Sequence, residues 1–503
     1  MPGNLGPKDK KMLKVIIIFL WFLVSTKLLL FWLWLWQIKE YRWKRFKDHF
    51  TTQAPKKILS SFWRVKYPRI TKKTALLCLV GFLAEIAVVY QFFSFRPVAF
   101  YICFFLSIIL APIVVALLIF IFQIPTIILR KILIKKASQK RMGFRDLIVV
   151  AITGSYGKTS VKEFLATILS AKFRVLKTEK HINAEIGIAQ TILNNLKPEY
   201  HIFVAEVGAY GRGDVKEICQ MLNPQIGILT GINEQHLSLF GLQKNIVKAK
   251  FELIESLPEN GTAILNANSE KINNERLKIK DYNKNLRNII WCSNEAPADI
   301  WAEDIVVDKK SISFRMVAKD GDRADFKLNL LGKHNVENIL LGASCAKELG
   351  MTLLEISNAC KSIRAEQESM QIRQGALGLT IIDSTYSANP NGVLADLDYL
   401  KLYSGRKILV MPCLIELGKA SKNAHEKIGE KIGEVCDLAI ITTKDRFKEL
   451  QQGCQKTGLG QDKIFLIEKP KEIFDKIKQF AENGDTVLLE SRVPQSLIKL
   501  LNL

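Results

Sequence analysis

The stretch Ile152-Thr153-Gly154-Ser155-Tyr156-Gly157-Lys158-Thr159-Ser160 constrains this chain more than any other. It follows the apolar run Leu147–Ala151 and precedes Val161–Lys172, which reads as a helix. Strand, glycine loop, helix is the order in which a chain wraps a nucleotide phosphate. Loop N–H groups and a helix N-terminus face the anion, a lysine adds charge, and a threonine hydroxyl reaches Mg²⁺. Gly154 and Gly157 stand two residues closer together than the glycines of the common G-x-x-x-x-G-K-[ST] loop, which narrows the kind of loop this is.

Charge is distributed unevenly. Through Arg145 there are 25 Lys+Arg against 4 Asp+Glu; the rest of the 503 residues are nearly balanced, with 47 against 45. The basic excess is interleaved with the apolar runs Val15–Trp36, Ala75–Phe93 and Val98–Phe122, so it argues for a membrane surface and against nucleic acid. Each run approaches the roughly 20 residues that span a bilayer. Lys27 and Glu85 sit near the middle of the first two runs, and a pair between them would reduce the cost of both charges. Residues Lys39–Lys73 hold 12 Lys+Arg and Arg130–Arg145 hold 7. By the positive-inside rule both flanks of the second and third runs are cytoplasmic, and the segment after Arg145 with them. The four lysines between Lys8 and Lys14 conflict with this if the first run crosses, so two or three spans remain open. Nine scattered cysteines without a C-x-x-C pair read as reduced core residues.

From Asp146 onward, short apolar runs alternate with helical patterns, the signature of α/β folds with a mainly parallel sheet. Strands are predicted at Leu147–Thr153, Ile202–Val207, Ile226–Thr230 and Thr262–Asn266, and an antiparallel hairpin at Ser311–Val317 and Ala324–Leu330. Helices are predicted at Asn335–Leu349 and Leu353–Ile363. A second α/β series runs through Leu379–Asp383, Lys407–Met411, Leu438–Thr442, Ile464–Ile467 and Thr486–Leu489. The polar stretch Arg364–Gln374 marks the boundary. The expected domains are therefore a membrane anchor (1–145), a P-loop nucleotide-binding domain (146–370) and a Rossmann-like C-terminal domain (371–503).

Four further segments sharpen the loop. Thr153-Gly154-Ser155-Tyr156-Gly157-Lys158-Thr159-Ser160 resembles T-G-[ST]-x-G-K-[ST]-[ST]; Asn183-Ala184-Glu185-Ile186-Gly187 resembles N-N-x-I-G; Glu206-Val207-Gly208-Ala209 resembles E-[LM]-G-[AM]; Gly332-Lys333-His334-Asn335-Val336-Glu337-Asn338 resembles G-x-H-N-x-x-N. In this order they resemble the Mur ligase family. Asp383-Ser384-Thr385-Tyr386-Ser387-Ala388-Asn389-Pro390, Glu416-Leu417-Gly418 with His425, and Glu490-Ser491-Arg492 are similar to segments of its branch that adds a D-alanyl-D-alanine dipeptide.

The resemblance implies a membrane-anchored, ATP- and Mg²⁺-dependent ligase. It would activate a cell-wall precursor carboxylate as an acyl phosphate and join it to an amino-acid or dipeptide amine. It implies that Gly154, Ser155, Tyr156, Gly157, Lys158, Thr159, Ser160 and Asn183 surround the nucleotide phosphates. Asn335 and Asn338 would lie on the adenine side, and Asp383 and Asn389 would close from the C-terminal domain. Thr159, Glu206, His236 and Lys250 would hold metal, Lys250 as a carbamate, with Lys158, His236 and Lys250 serving the chemistry. Membrane lipids would meet the basic N-terminal region, and no nucleic acid is expected.

The chain departs from the pattern. Apolar spans replace the family's UDP-binding domain, Ser384 replaces an Asp, Ser369 an Arg (with Arg364 or Arg373 as substitutes), Leu489 a Lys, and His181 an Asn. Two other readings therefore stand beside the first: a ligase-inactive nucleotide-binding scaffold, and a ligase for a different carboxylate.

Overall fold

The computed structural model describes residues 7–39, 41, 43, 46, 66–93, 97–364, 370–385 and 389–502. Most of the basic segment Lys39–Lys73, the hairpin tip 94–96, Ser369 and residues 386–388 lie outside the described residues. The chain forms two compact units, Met1–Ile132 and Leu133–Leu503.

The first unit contains the helices Pro7–Ile38 and Lys72–Phe93 and the start of the helix Pro97–Met142. Three segments, Met12–Ile38, Lys72–Tyr90 and Phe105–Met142, are helices long and apolar enough to cross a membrane. Their polar groups turn inward. Glu85 accepts hydrogen bonds from Ser25 Oγ (2.7 Å) and Thr26 Oγ1 (3.0 Å), residues next to Lys27. Trp21 Nε1 donates to Ser107 Oγ at 2.9 Å. Phe19, Leu83 and Ile121 point outward. Gly81 allows the first two helices to approach closely: a Cβ there would stand 2.6 Å from Leu29 Cδ2.

The second unit is built on two sheets. The first has nine strands in the order β2-β3-β1-β4-β5-β6-β7-β8-β9. Its strands are β1 (Ile148–Thr153), β2 (Val175–Lys177), β3 (Ile202–Glu206), β4 (Ile226–Leu229), β5 (Thr262–Asn266), β6 (Asn288–Ser293), β7 (Ile300–Val307), β8 (Ile312–Ala318) and β9 (Arg323–Leu328). Neighbours are parallel up to the β6–β7 pair; β7, β8 and β9 form an antiparallel meander. Continuous apolar runs such as Val149–Ile152 are what a strand covered on both faces requires. The helix Lys158–Leu169 packs on one face with His334–Glu348, and Asp214–Leu222 packs on the other with Gln243–Glu255. Adjacent strands β1 and β3 thus send their helices to opposite faces. That is the switch point where open α/β sheets bind ligands.

The second sheet has the order β10-β11-β15-β12-β13-β14, comprising β10 (Gln371–Gln374), β11 (Thr380–Ser384), β12 (Lys407–Met411), β13 (Leu438–Ile441), β14 (Ile464–Leu466) and β15 (Thr486–Glu490). Only the edge pair β10–β11 is antiparallel. The polar stretch expected as a boundary therefore contains a strand. Four strands had no usable sequence signal. β2 has three residues and β10 four, too few for a period; β6 and β7 mix polar side chains into their runs. Apart from the half-buried Cys78, the described cysteines are buried, and all are free thiols.

The helices Ser421–Val435 and Phe447–Lys456 pack glycine to glycine. A Cβ on Gly453 would stand 2.7 Å from Glu430 N and 2.8 Å from the Gly429 Cα. Replacing Gly453 by Ala is expected to lower stability by about 1–3 kcal/mol through overpacking. Thermal unfolding with an unchanged midpoint would show that this contact has slack.

Candidate active site

The loop after β1 is shaped by contacts that only glycine permits. Gly154 has φ +155° and Gly157 φ +77°. A side chain on Gly154 would strike the Thr230 hydroxyl, and one on Gly157 would stand 2.7 Å from Asn338 Oδ1. Ser155 N donates to Gly231 O at 2.6 Å, Asn233 N donates to Ser155 Oγ at 3.2 Å, and Thr230 Oγ1 donates to Tyr156 O. The loop is thereby tied to the segment after β4. Tyr156 is half-buried, and its hydroxyl is pushed up to about 12 by burial and by Glu337. Lys158 Nζ folds back onto Gly154 O (2.9 Å) and Ser155 O (3.4 Å). Burial holds this ammonium below its ordinary range, with Glu206 opposing the shift. Ser160 lies on the first turn of the helix Lys158–Leu169.

Register brings Glu206 to the loop. Ile152 pairs with Glu206 across β1 and β3, so the carboxylate emerges beside Thr153 and the turn. Thr159 Oγ1 donates to Glu206 Oε2 at 2.9 Å, and Asn183 Nδ2 to Glu206 Oε1 at 3.0 Å. Gly208 N donates to Asn183 O at 2.8 Å, and a Cβ on Gly208 would stand 2.9 Å from Asn183 Oδ1. A glycine two residues beyond Glu206 is thus what lets the Asn183 loop close on it. Thr159 and Glu206 supply hard oxygen donors suited to Mg²⁺. Among the described residues no group of three or more His, Cys, Asp and Glu side chains forms a metal cage. A metal here would draw its other ligands from phosphate and water.

Lys250, on the helix Gln243–Glu255, is buried. Burial, together with repulsion from Lys158, lowers its ammonium to about 7, against the pull of Asp214, Glu206 and Glu252. It is an amine poised near neutrality beside the loop lysine. His236 contacts Glu416 and Tyr210. Its Nδ1 lies 2.6 Å from Glu416 Oε2, so a metal contact would fall to Nε2. It holds φ +62° and Glu416 φ +65°, strained values for residues with a Cβ.

The two sheets' loops meet here. Asn233 Nδ2 donates to Asn389 Oδ1 (3.1 Å) and Asn391 Oδ1 (2.9 Å), and Ser238 N to Glu416 O (3.2 Å). Asn389 also caps its own helix, accepting from Gly392 N, with Pro390 in the first turn. Asn335 and Asn338 are joined at 3.1 Å on the helix that faces Gly157. Asp383 Oδ1 accepts from Thr385 N and Oγ1, and its Oδ2 lies 3.9 Å from Arg373. His425 is structural: it is fully buried, accepts from Leu414 N at Nε2 (2.9 Å), and donates from Nδ1 to Ser421 O (2.6 Å). Leu489 is sealed inside its sheet, and Ser384 Oγ bonds Asp396.

Sequence reasoning missed Thr230, Gly231, Asn233, Glu337 and Asn391, which hold the loop or bridge the sheets. Glu337 accepts from Asn266 Nδ2 at 2.9 Å, and Asn266 also donates to Thr230 O at 2.7 Å. Glu337 stood inside the recognised segment Gly332–Asn338, and Asn233 three residues before His236, but neither was assigned a role.

Two family models match in succession, the Mur ligase middle domain over residues 152–346 and the Mur ligase glutamate ligase domain over 370–492. The chain is similar to the UDP-N-acetylmuramoyl-tripeptide–D-alanyl-D-alanine ligase of Escherichia coli K12, at 33% identity over 282 residues. The match covers 56% of this chain and 61% of that enzyme. Its fold is similar to a crystal structure of MurF from Acinetobacter baumannii (TM-score 0.66, 25% identity, 74% of this chain and 81% of that one). It is also similar to MurF ligase from Thermotoga maritima in complex with ADP (TM-score 0.62, 26% identity, 74% and 83%). The glycine loop, the carboxylate across the ladder from it and the second sheet, whose loops meet Asn233, His236 and Ser238, lie within the matched domains, and the chain belongs to the Mur ligase family.

Proposed function

We propose that this protein is an ATP-dependent amide ligase of cell-wall peptide synthesis, working at a membrane. The observation that carries the reading is the convergence of Lys158, Thr159, Glu206 and Asn183 on one loop, with Asn389 reaching the neighbouring Asn233 from the second sheet. The E. coli relative is named for joining D-alanyl-D-alanine to a UDP-linked tripeptide, and a tripeptide carboxylate with a dipeptide amine is the substrate pair assigned here. The division into an anchor (1–145), an ATP-binding domain (146–370) and a C-terminal domain (371–503) is part of the proposal. The outward apolar faces of the N-terminal helices and their basic flanks support a multi-pass membrane location with cytoplasmic catalytic domains, the flanks meeting anionic lipid.

The residues act by neutralising and aligning charge. Lys158 exchanges the carbonyls of Gly154 and Ser155 for phosphate oxygens. Loop N–H groups and the N-terminus of Lys158–Leu169 face the same anion. Thr159 and Glu206 would hold Mg²⁺, with His236, through Nε2, and Lys250 assigned to a second site. Bound there, Mg²⁺ supplies positive charge to the phosphate oxygens. Asn335 and Asn338 serve the adenine side, and Asp383 and Asn389 close from the second sheet. The substrate carboxylate attacks the γ-phosphorus, the bond to the bridging oxygen of the β-phosphate breaks, and ADP leaves with the acyl phosphate formed. The amine then attacks the acyl carbon, loses a proton and expels phosphate. A neutral Lys250 amine can add CO₂ with loss of a proton, giving a carbamate whose negative charge suits a metal-rich site.

The deciding experiment incubates the full chain with ATP, Mg²⁺, UDP-N-acetylmuramoyl-tripeptide and D-alanyl-D-alanine, and reads phosphate and product mass. Substrate-dependent phosphate with the amide product is expected; nucleotide binding without turnover would favour the scaffold reading. Lys158→Ala should reduce turnover on the order of 10²–10³-fold, as for loss of one transition-state charge donor. For Lys250, turnover should rise from pH 6 to 8 as its amine, poised at about 7, becomes neutral. Bicarbonate depletion should lower turnover and its return restore it, while Lys250→Arg should respond to neither. The same shift costs stability. A lysine titrates near 10.4 when unfolded, so the folded state holds fewer protons between about pH 7 and 10.4. The cost is full below pH 7 and fades as pH rises.

A further inference from the structure

Lys162 lies one turn beyond Thr159 on the same helix, so both side chains reach the same place. Its side chain is 0% exposed. A lysine is almost never sealed in this way unless its charge is met. Its ammonium lies 3.6 Å from Glu206 Oε2 and 3.1 Å from Glu163 Oε1, and donates to Lys180 O. Glu163 has a second cation, Lys177. Glu206, 1% exposed, has Lys162 as its ion-pair partner among the described residues; its hydrogen-bond partners are the neutral Thr159, Asn183 and Thr178, and Lys158 and Lys250 act on it through space without an ion-pair contact. Lys158 has its ammonium on the carbonyls of Gly154 and Ser155. The bond to Lys180 reaches the loop that carries Asn183, at a residue with φ +46°. One ammonium therefore touches the loop helix, the carboxylate at the end of β3, and the segment delivering the second donor to that carboxylate.

We infer that Lys162 is a positioning residue. It is the standing counter-ion of Glu206 and holds the carboxylate against Thr159 and Asn183 before any metal arrives. This rests on the reading of Glu206 as a Mg²⁺ ligand. A buried carboxylate stripped of its cation is costly, while removing both charges together costs far less. Once a divalent cation binds Glu206, part of the need for Lys162 passes to it.

The test is a double-mutant cycle in the full chain with Lys162→Met, Glu206→Gln and both, read by thermal unfolding in EDTA and again with Mg²⁺ and ADP. In EDTA, Lys162→Met should lower the midpoint by several degrees, and adding Glu206→Gln should recover most of the loss. If Lys162→Met alone does not accumulate folded, recovery of folded protein in the double variant supplies the same reading. Mg²⁺ with ADP should raise the midpoint of Lys162→Met by more than that of the parent. Additive losses in EDTA would overturn the inference and leave Lys162 as packing. Equal Mg²⁺–ADP shifts in parent and variant would overturn the metal-sharing part. A parent with no Mg²⁺–ADP shift would instead count against the nucleotide reading, and the EDTA cycle would still decide the ion pair.

Discussion

The buried charge of Glu206 is the constraint around which this site is organised. β1 and β3 are neighbours in one register, and that register alone sets the carboxylate beside the glycine loop. A carboxylate there must be met from every side, because water does not reach it. Thr159 meets it from the loop helix, Asn183 from the following loop, Thr178 at its backbone N–H, and Lys162 with a full positive charge. Gly208 has to lack a side chain so that Asn183 can come close. The local sequence rules at four separated segments are thus consequences of one buried negative charge.

What the sequence disclosed follows the same division. The loop, the strand before it and the helix after it are contiguous, so periodicity and glycine spacing expose them. Asn183, Glu206, Asn335 and Asn338 were legible because each sits in a short motif with its own backbone requirement. Contacts between distant segments were not legible. His236 and Glu416 are 180 residues apart, and neither carries a local signal for the other. His425, which entered only as part of a matched segment, is a tie between Leu414 and Ser421, which burial and both ring contacts reveal.

The departures from the family pattern also take on physical form. Ser384 and Glu490 face one another across β11 and β15. Ser384 bonds Asp396, and burial, together with Asp396, pushes the Glu490 carboxyl well above its ordinary range. Where a motif aspartate is absent, acidic groups are thus still present in the same ladder. Leu489, in place of a lysine, belongs to the hydrophobic layer. Arg373 reaches toward Asp383 from the edge strand that occupies the expected boundary.

The join between the two sheets' loops is largely polar: two asparagine contacts, one histidine–glutamate contact, one backbone hydrogen bond and the Tyr399 hydroxyl donating to Lys309 O, with Leu331 and Ala420 each packed against the opposite core. Neutral hydrogen bonds contribute on the order of 1 kcal/mol each, and His236 and Glu416 are 30% and 40% exposed, so water can take over their contact as it parts. Such a seam is small beside either hydrophobic core, which it borders at Leu331 and Ala420. In the proposed ligase a hinge at this seam would have to break and remake only these contacts, and a spent nucleotide could leave by the way it entered.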